Sequence, residues 1–152
     1  MGVDSGLPAF RGNQGFWNAY PEYKILGFSF VQMSNPKHFV EEPELGWGFY
    51  GHRLNLYRAT KPHSGFTRLL EFSKSLKFES YVFTSNVDGH FGKTGFGNNI
   101  VECHGSIEHF QCASDCSGEI WKAPESEIPI NLETMKADTD KLPRCPNCKG
   151  LA

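Results

Sequence analysis

The sequence predicts an α/β fold carrying a small metal-binding module, on three observations. Two short β-rich runs, residues 81–84 and 100–103, each lead directly into polar side chains. Helical periodicity fills residues 36–77 ahead of them. Two close cysteine pairs, Cys112-x3-Cys116 and Cys145-x2-Cys148, have the spacing of metal ligands.

A chain of 152 residues holds one domain, or one domain with a small insert. It can bury a core, since 39% of its residues are hydrophobic and 13 are Phe. A net charge of -2, with no lysine/arginine block, argues against a nucleic-acid or membrane-surface role driven by bulk charge. No apolar run approaches the roughly 20 residues that cross a bilayer. The N-terminus has neither a basic n-region nor an apolar h-region, and Ser5 is out of register for a Met-Gly myristoylation signal. The expectation is a cytosolic chain. An odd count of five cysteines without a signal peptide disfavours a disulfide framework.

In order, residues 1–21 are punctuated by Gly2, Gly6, Gly12 and Gly15 and read as a loop whose backbone N–H groups can approach phosphates. Residues 22–42 are mixed, with a turn or helix start at Asn35-Pro36. From Pro43, Leu45, Phe49, Leu54, Leu56 and Tyr57 form one apolar helical face that ends at Pro62. Ser64 is the expected cap of the next helix, which carries Phe66, Leu69, Leu70, Phe72 and Leu76. Residues 81–84 form a buried strand, with Asn86 and Asp88 just past its carboxyl end. Residues 100–103 form a second strand, with Cys103 as a buried strand residue and His104 directly after it. Ligands of open α/β sheets bind outside the carboxyl ends of strands, so the two ends together mark a candidate site.

From Ile107 the character changes. Four thiolates in two knuckles close a tetrahedral zinc site with no open coordination position, and Cys145-Pro146-Asn147-Cys148-Lys149-Gly150 has zinc-ribbon form. The acidic residues 123–141 read as a solvated loop within this module.

These motifs together resemble the sirtuins, NAD-dependent protein-lysine deacylases. Residues 4–11 (DSGLPAFR) resemble the end of the cofactor loop GAGxSxxSGIPDFR, residues 84–88 (TSNVD) resemble TQNID, and residues 102–106 (ECHGS) resemble ELHGS. The resemblance implies a Rossmann-like NAD-binding sheet, incomplete here, over residues 1–106, with an inserted four-cysteine zinc module over 107–152. It implies NAD as co-substrate and one structural zinc held by Cys112, Cys116, Cys145 and Cys148. Ser5, Gly6, Phe10, Arg11, Ser85, Asn86 and Asp88 would contact NAD. Asn86 and His104 would be catalytic, with His104 the general base on the ribose hydroxyls after the acyl-lysine oxygen displaces nicotinamide. The products would be free lysine and O-acyl-ADP-ribose. Tyr50 and Arg53 match the Tyr-x-x-Arg pattern of sirtuins that accept acidic acyl groups such as succinyl, one turn apart on a helix. The partner is an acyl-lysine protein or peptide, with neither membrane nor nucleic acid implicated.

The chain departs from the family pattern at four places. It begins within the cofactor motif, Ala9 stands for the aspartate of PDFR, Ser85 stands for the glutamine of QNID, and the later Phe-Gly-Glu and Gly-Thr-Ser segments are absent. The expectation is therefore a truncated or degenerate family member with weak or no turnover. The alternatives are a non-catalytic zinc-containing protein- or nucleotide-binding module and a mono-ADP-ribosyltransferase.

Overall fold

Among the described residues of the computed structural model, 1–9 and 12–152, helices come first and short strands follow. The helices are α1 (Gly12–Ala19), α2 (Pro21–Ile25), α3 (Phe30–Met33), α4 (His38–Glu41), α5 (Pro43–Ala59) and α6 (Ser64–Ser75). Then come β1 (Val82–Thr84), α7 (His90–Thr94) and β2 (Ile100–Glu102), and the hairpin strands β3 (His109–Gln111), β4 (Ile120–Lys122), β5 (Ile130–Asn131) and β6 (Lys136–Ala137). Phe10 and Arg11 lie outside the described residues.

The central element is α5, for which the sequence reading holds. Pro43 occupies its first turn, where a missing N–H costs nothing, and Thr60 is already extended two residues before Pro62. The helix is buried on several sides. One side packs Phe49 and Leu45 with Phe16, Tyr20, Tyr23 and Met33 from α1–α3. The other packs Trp47 and Leu54 with Phe110, Ala123, Ile128 and Leu142. Fully burying each large apolar side chain contributes about 1.5–3 kcal/mol. Lys93 of α7 closes the helix end, its Nζ donating to the carbonyls of Tyr57 (2.5 Å) and Arg58 (3.3 Å).

β1 and β2 are parallel neighbours, with Val82 opposite Ile100, Phe83 opposite Val101 and Thr84 opposite Glu102. The crossover between them carries α7, as a parallel connection requires. β3–β4 and β5–β6 pair antiparallel. The sheet is small: β1–β2 has two strands.

Five local expectations change. Residues 12–19 form α1 rather than a loop, because Phe16 and Tyr20, one turn apart, enter the core despite the surrounding glycines. Helix α6 is capped by His63, whose side chain accepts the Gly65 N–H, and not by Ser64. Its expected apolar face is mostly bare: Phe66 is buried, but Leu69, Phe72 and Leu76 are exposed. The strands are not fully buried, since Phe83 is 76% and Val101 48% exposed on a shared face. Residues 123–141 are not a solvated loop. They contain the β5–β6 hairpin, which seats Ile128, Met135 and Ala137 against α5 because Gly48 and Gly51 let the backbones approach.

Candidate active site and metal centre

Because β1 and β2 run parallel side by side, the segments after them emerge on one edge. The Cys103 N–H donates to the Thr84 carbonyl (3.0 Å) and the Ile107 N–H to the Val87 carbonyl (3.1 Å), stitching the two loops together. Ser85 and Asn86 are exposed on this edge, and the Asn86 N–H donates to Thr84 Oγ1 (3.0 Å). Asp88 is buried, its Oδ1 accepting the His90 N–H at 3.0 Å. His104 is exposed and turns into Gly105, whose φ of 75° an ordinary side chain would resist. Cys103, expected inside the strand, is exposed just beyond it, with its thiol donating to the Thr84 carbonyl at 3.2 Å.

The N-terminal loop meets this edge. A Cβ on Gly2 would lie 3.5 Å from Asp88 Oδ2. Ser5 Oγ accepts the His63 N–H (3.0 Å), and Gly6 follows with φ of 90°. Thus Ser5 is tied to the residue that caps α6, and Gly2 lies beside Asp88.

Two histidines unflagged by the sequence reading sit here. His90 is fully buried, and neither ring nitrogen has a hydrogen-bond partner. Burial lowers its pKa, opposed by the Asp88 carboxylate. His63 Nδ1 accepts the Gly65 N–H, so Nε2 carries the proton, and that buried Nε2 is unpartnered too. Phe66 touches both rings, at centroid distances of 5.2 Å and 5.6 Å. The available signal was the placement of His90 two residues after Asp88.

His104 also lines a cavity of about 620 Å³ between the β1–β2 edge, α4–α5 and the cysteine-rich segment. Glu102 lines it as well, and burial raises its carboxyl pKa against a hydrogen bond from Ser106. Tyr50 lines this cavity and donates its hydroxyl to the Ser34 carbonyl at 3.4 Å. Arg53 is buried on α5 and donates to Tyr57 Oη from Nε (3.1 Å) and Nη2 (2.7 Å), its guanidinium over the Phe49, Tyr50 and Tyr57 rings. The structure therefore brings Tyr50 and His104 to one cavity, while Arg53 is not among its lining residues.

Cys112, Cys116, Cys145 and Cys148 converge. Their four Sγ atoms all lie within 4.8 Å of one another, with the Cys112–Cys148 and Cys116–Cys145 pairs at 3.6 Å. That is far beyond the ~2.05 Å of a disulfide and close to the ~3.8 Å edge of a tetrahedron with ~2.3 Å zinc–sulfur bonds. The backbone N–H groups of Cys116 and Ser114 hold the Cys112 thiol down to about 7, and Cys145 beside it pushes Cys116 up to about 12. One thiolate ready to form beside three close sulfurs fits one structural zinc. The left-handed φ values at Asp115 and Lys149 shape the two knuckles. No helix among the described residues is long and apolar enough to cross a membrane.

Comparison with known proteins points the same way. A Sir2 family model matches residues 1–152. An NAD-dependent protein deacylase of Pyrococcus abyssi is 31% identical over 152 residues, covering 99% of this chain and 54% of that protein. One from Aquifex aeolicus is 29% identical over 154 residues, with shares of 99% and 54%. Among solved structures, a mutant Sir2 homologue in complex with ADP-ribose matches with a TM-score of 0.70 at 27% identity, over 99% of this chain and 51% of that one. A Sir2 homologue in complex with NAD matches at 0.68 and 26%, over 99% and 50%. The chain spans about half the length of the curated relatives it matches.

Proposed function

The chain belongs to the Sir2 family, and we propose that it carries the catalytic edge and zinc module of an NAD-dependent protein-lysine deacylase. The observation that carries this reading is the parallel pairing of β1 with β2, from whose ends Asn86, Asp88 and His104 emerge together. The deacylase names of its relatives support it and do not favour a non-catalytic module or a mono-ADP-ribosyltransferase.

NAD, when bound, supplies an activated ribose carbon from which nicotinamide leaves as the acyl oxygen adds. Asp88, preset by the His90 N–H, would accept the carboxamide N–H of the nicotinamide group. Asn86 and Ser85, exposed at the strand end, would orient the ribose. Ser5 and Gly6, and Phe10 and Arg11 with them, would border the phosphates and ribose. His104 would take a ribose hydroxyl proton on a ring nitrogen, acting as a positioned general base. Tyr50 would line the acyl channel, with Arg53 behind it. Ala9 lacks the carboxylate of the family's cofactor loop and Ser85 reaches less far toward the ribose than glutamine, so turnover is expected to be slow.

We divide the chain at residue 106, with the NAD and catalytic part before it and the zinc module after it. Cysteines arranged for a metal rather than for disulfides support a cytoplasmic setting. The reaction is an acyl transfer, with ADP-ribose as acceptor. Mass spectrometry of a reaction containing this chain, NAD and an acetyl-lysine peptide tests the reading. O-acyl-ADP-ribose and deacylated peptide should appear in equal amounts. Formation of ADP-ribosylated peptide in their place would overturn it.

A further inference from the structure

His90 breaks an ordinary rule of packing. It lies fully buried at the start of α7, and among the described residues neither ring nitrogen has a hydrogen-bond partner. A buried, unsatisfied polar group destabilises a fold, and an apolar side chain in the same space would avoid that loss. What an imidazole offers in its place is a lone pair that can take a proton.

The surroundings decide where that proton would act. The Phe66 ring of α6 lies edge-on to His90 at 5.6 Å and to His63 at 5.2 Å, so this side of the cluster is carbon. From α5, the Tyr57 carbonyl faces the ring but already accepts Lys93 Nζ (2.5 Å), and Arg58 is engaged with Glu108. Lys93 and His63 oppose a further positive charge on the ring, and the Asp88 carboxylate favours one. Asp88 is itself buried, and its Oδ1 accepts the backbone N–H of the same His90 at 3.0 Å. Carboxylate and imidazole are therefore held together in one turn, with Asp88 Oδ2 beside Gly2 of the N-terminal loop.

We propose that His90 is a positioning residue for Asp88: its neutral ring leaves the carboxylate to receive the nicotinamide carboxamide, and its protonated ring takes that carboxylate as an ion-pair partner, so that the chain loses its hold on the nicotinamide end of NAD in acid. The proposal rests on the reading of Asp88 as the carboxamide acceptor and adds the neighbour that controls it. A protonated ring also sets a positive charge near the nicotinamide ring, which is cationic in NAD, so the two effects have one sign. Affinity for NAD is then full above the folded-state pKa of His90 and falls as pH drops through it, by at most about tenfold per pH unit for one proton. ADP-ribose has no nicotinamide group, so its affinity does not follow this proton.

Isothermal titration of the chain with NAD and with ADP-ribose at pH 7.5 and 5.5 tests it, with folding checked by circular dichroism at both. From pH 7.5 to 5.5 the affinity for NAD should fall at least about fivefold, and that for ADP-ribose less than about twofold. His90→Leu and His90→Gln keep the backbone N–H to Asp88 and remove the imidazole. In both, the fall for NAD should shrink to that for ADP-ribose. Four results would overturn the proposal: no NAD binding at pH 7.5, no fall for NAD, equal falls for the two ligands, or an undiminished fall for NAD in both variants. Peptide-dependent nicotinamide release at pH 7.5 separates the two readings. NAD binding that follows pH through His90 without release overturns deacylation alone, and release with NAD binding indifferent to His90 overturns this proposal alone.

Discussion

Gly48 of α5 faces the backbone carbonyl of Met135 with no room for a Cβ between them. The contact seats the β5–β6 hairpin on the central helix and couples the cysteine-rich segment to the helical part of the chain. Gly48→Ala must push backbone against backbone, and should lower stability by about 2–3 kcal/mol in urea denaturation. Gly92 in α7 has open space around it, so Gly92→Ala should be neutral or stabilising by about 0.5–1 kcal/mol. Equal effects at the two positions would count against the packing.

Arg58 makes a second tie. It donates to Glu108 from Nε (3.1 Å) and Nη2 (2.7 Å), and from Nη1 to the Pro124 carbonyl (2.7 Å), in a half-buried setting. Arg58→Ala leaves the Glu108 carboxylate partly buried without its cation, and should cost about 2 kcal/mol. Arg58→Lys should recover less than half of that loss, because a point charge cannot span the same acceptors. Full rescue by lysine would show that simple charge pairing suffices.

For the metal, purified reduced protein should contain about one zinc per chain. Chelation or Cys145→Ser should lower Tm and change the near-UV signal of Trp121, which packs against the apolar cluster of this segment. Metal analysis without zinc, or an unchanged Tm after chelation, would contradict the four-sulfur site.

Burial holds His90 below its ordinary pKa, and does the same for His52. The unfolded chain then binds more protons than the folded chain between the lowered pKa and the ordinary value near 6.5. Stability should therefore fall as pH drops through about 6.5 toward the folded-state values, and level off below them. His90→Leu removes a buried group with two unpartnered nitrogens. It should raise stability at pH 7.5 by about 1 kcal/mol and make the acid limb of a Tm–pH curve shallower. A steeper limb would contradict the assignment.

The legible parts of the sequence are those fixed by local chemistry. Pro43 and Pro62 bracket α5 because proline is tolerated only at a helix start. The cysteine spacings identify the metal cluster because two knuckles dictate where the sulfurs go. The two strand ends are readable from short β-rich runs followed by polar residues. The illegible parts depend on tertiary partners. Glycines around Phe16 mimic a loop until the aromatic core stabilises α1. The acidic residues near Met135 mimic a solvated loop until Gly48 offers a seat. Tyr50 and Arg53 share a helix face by spacing, yet only Tyr50 lines the cavity, because Tyr57 lies one turn beyond Arg53 and engages it. Helical periodicity likewise predicts an apolar stripe on α6, but the stripe alone does not say what covers it.

Peptide-dependent nicotinamide release from NAD, compared between this chain and His104→Ala, tests the central claim most directly. The account predicts slow release that requires the acyl-lysine peptide, formation of O-acyl-ADP-ribose, and loss of that product by at least about a hundredfold in His104→Ala. Equal product formation by the two proteins, or none by either, would contradict it.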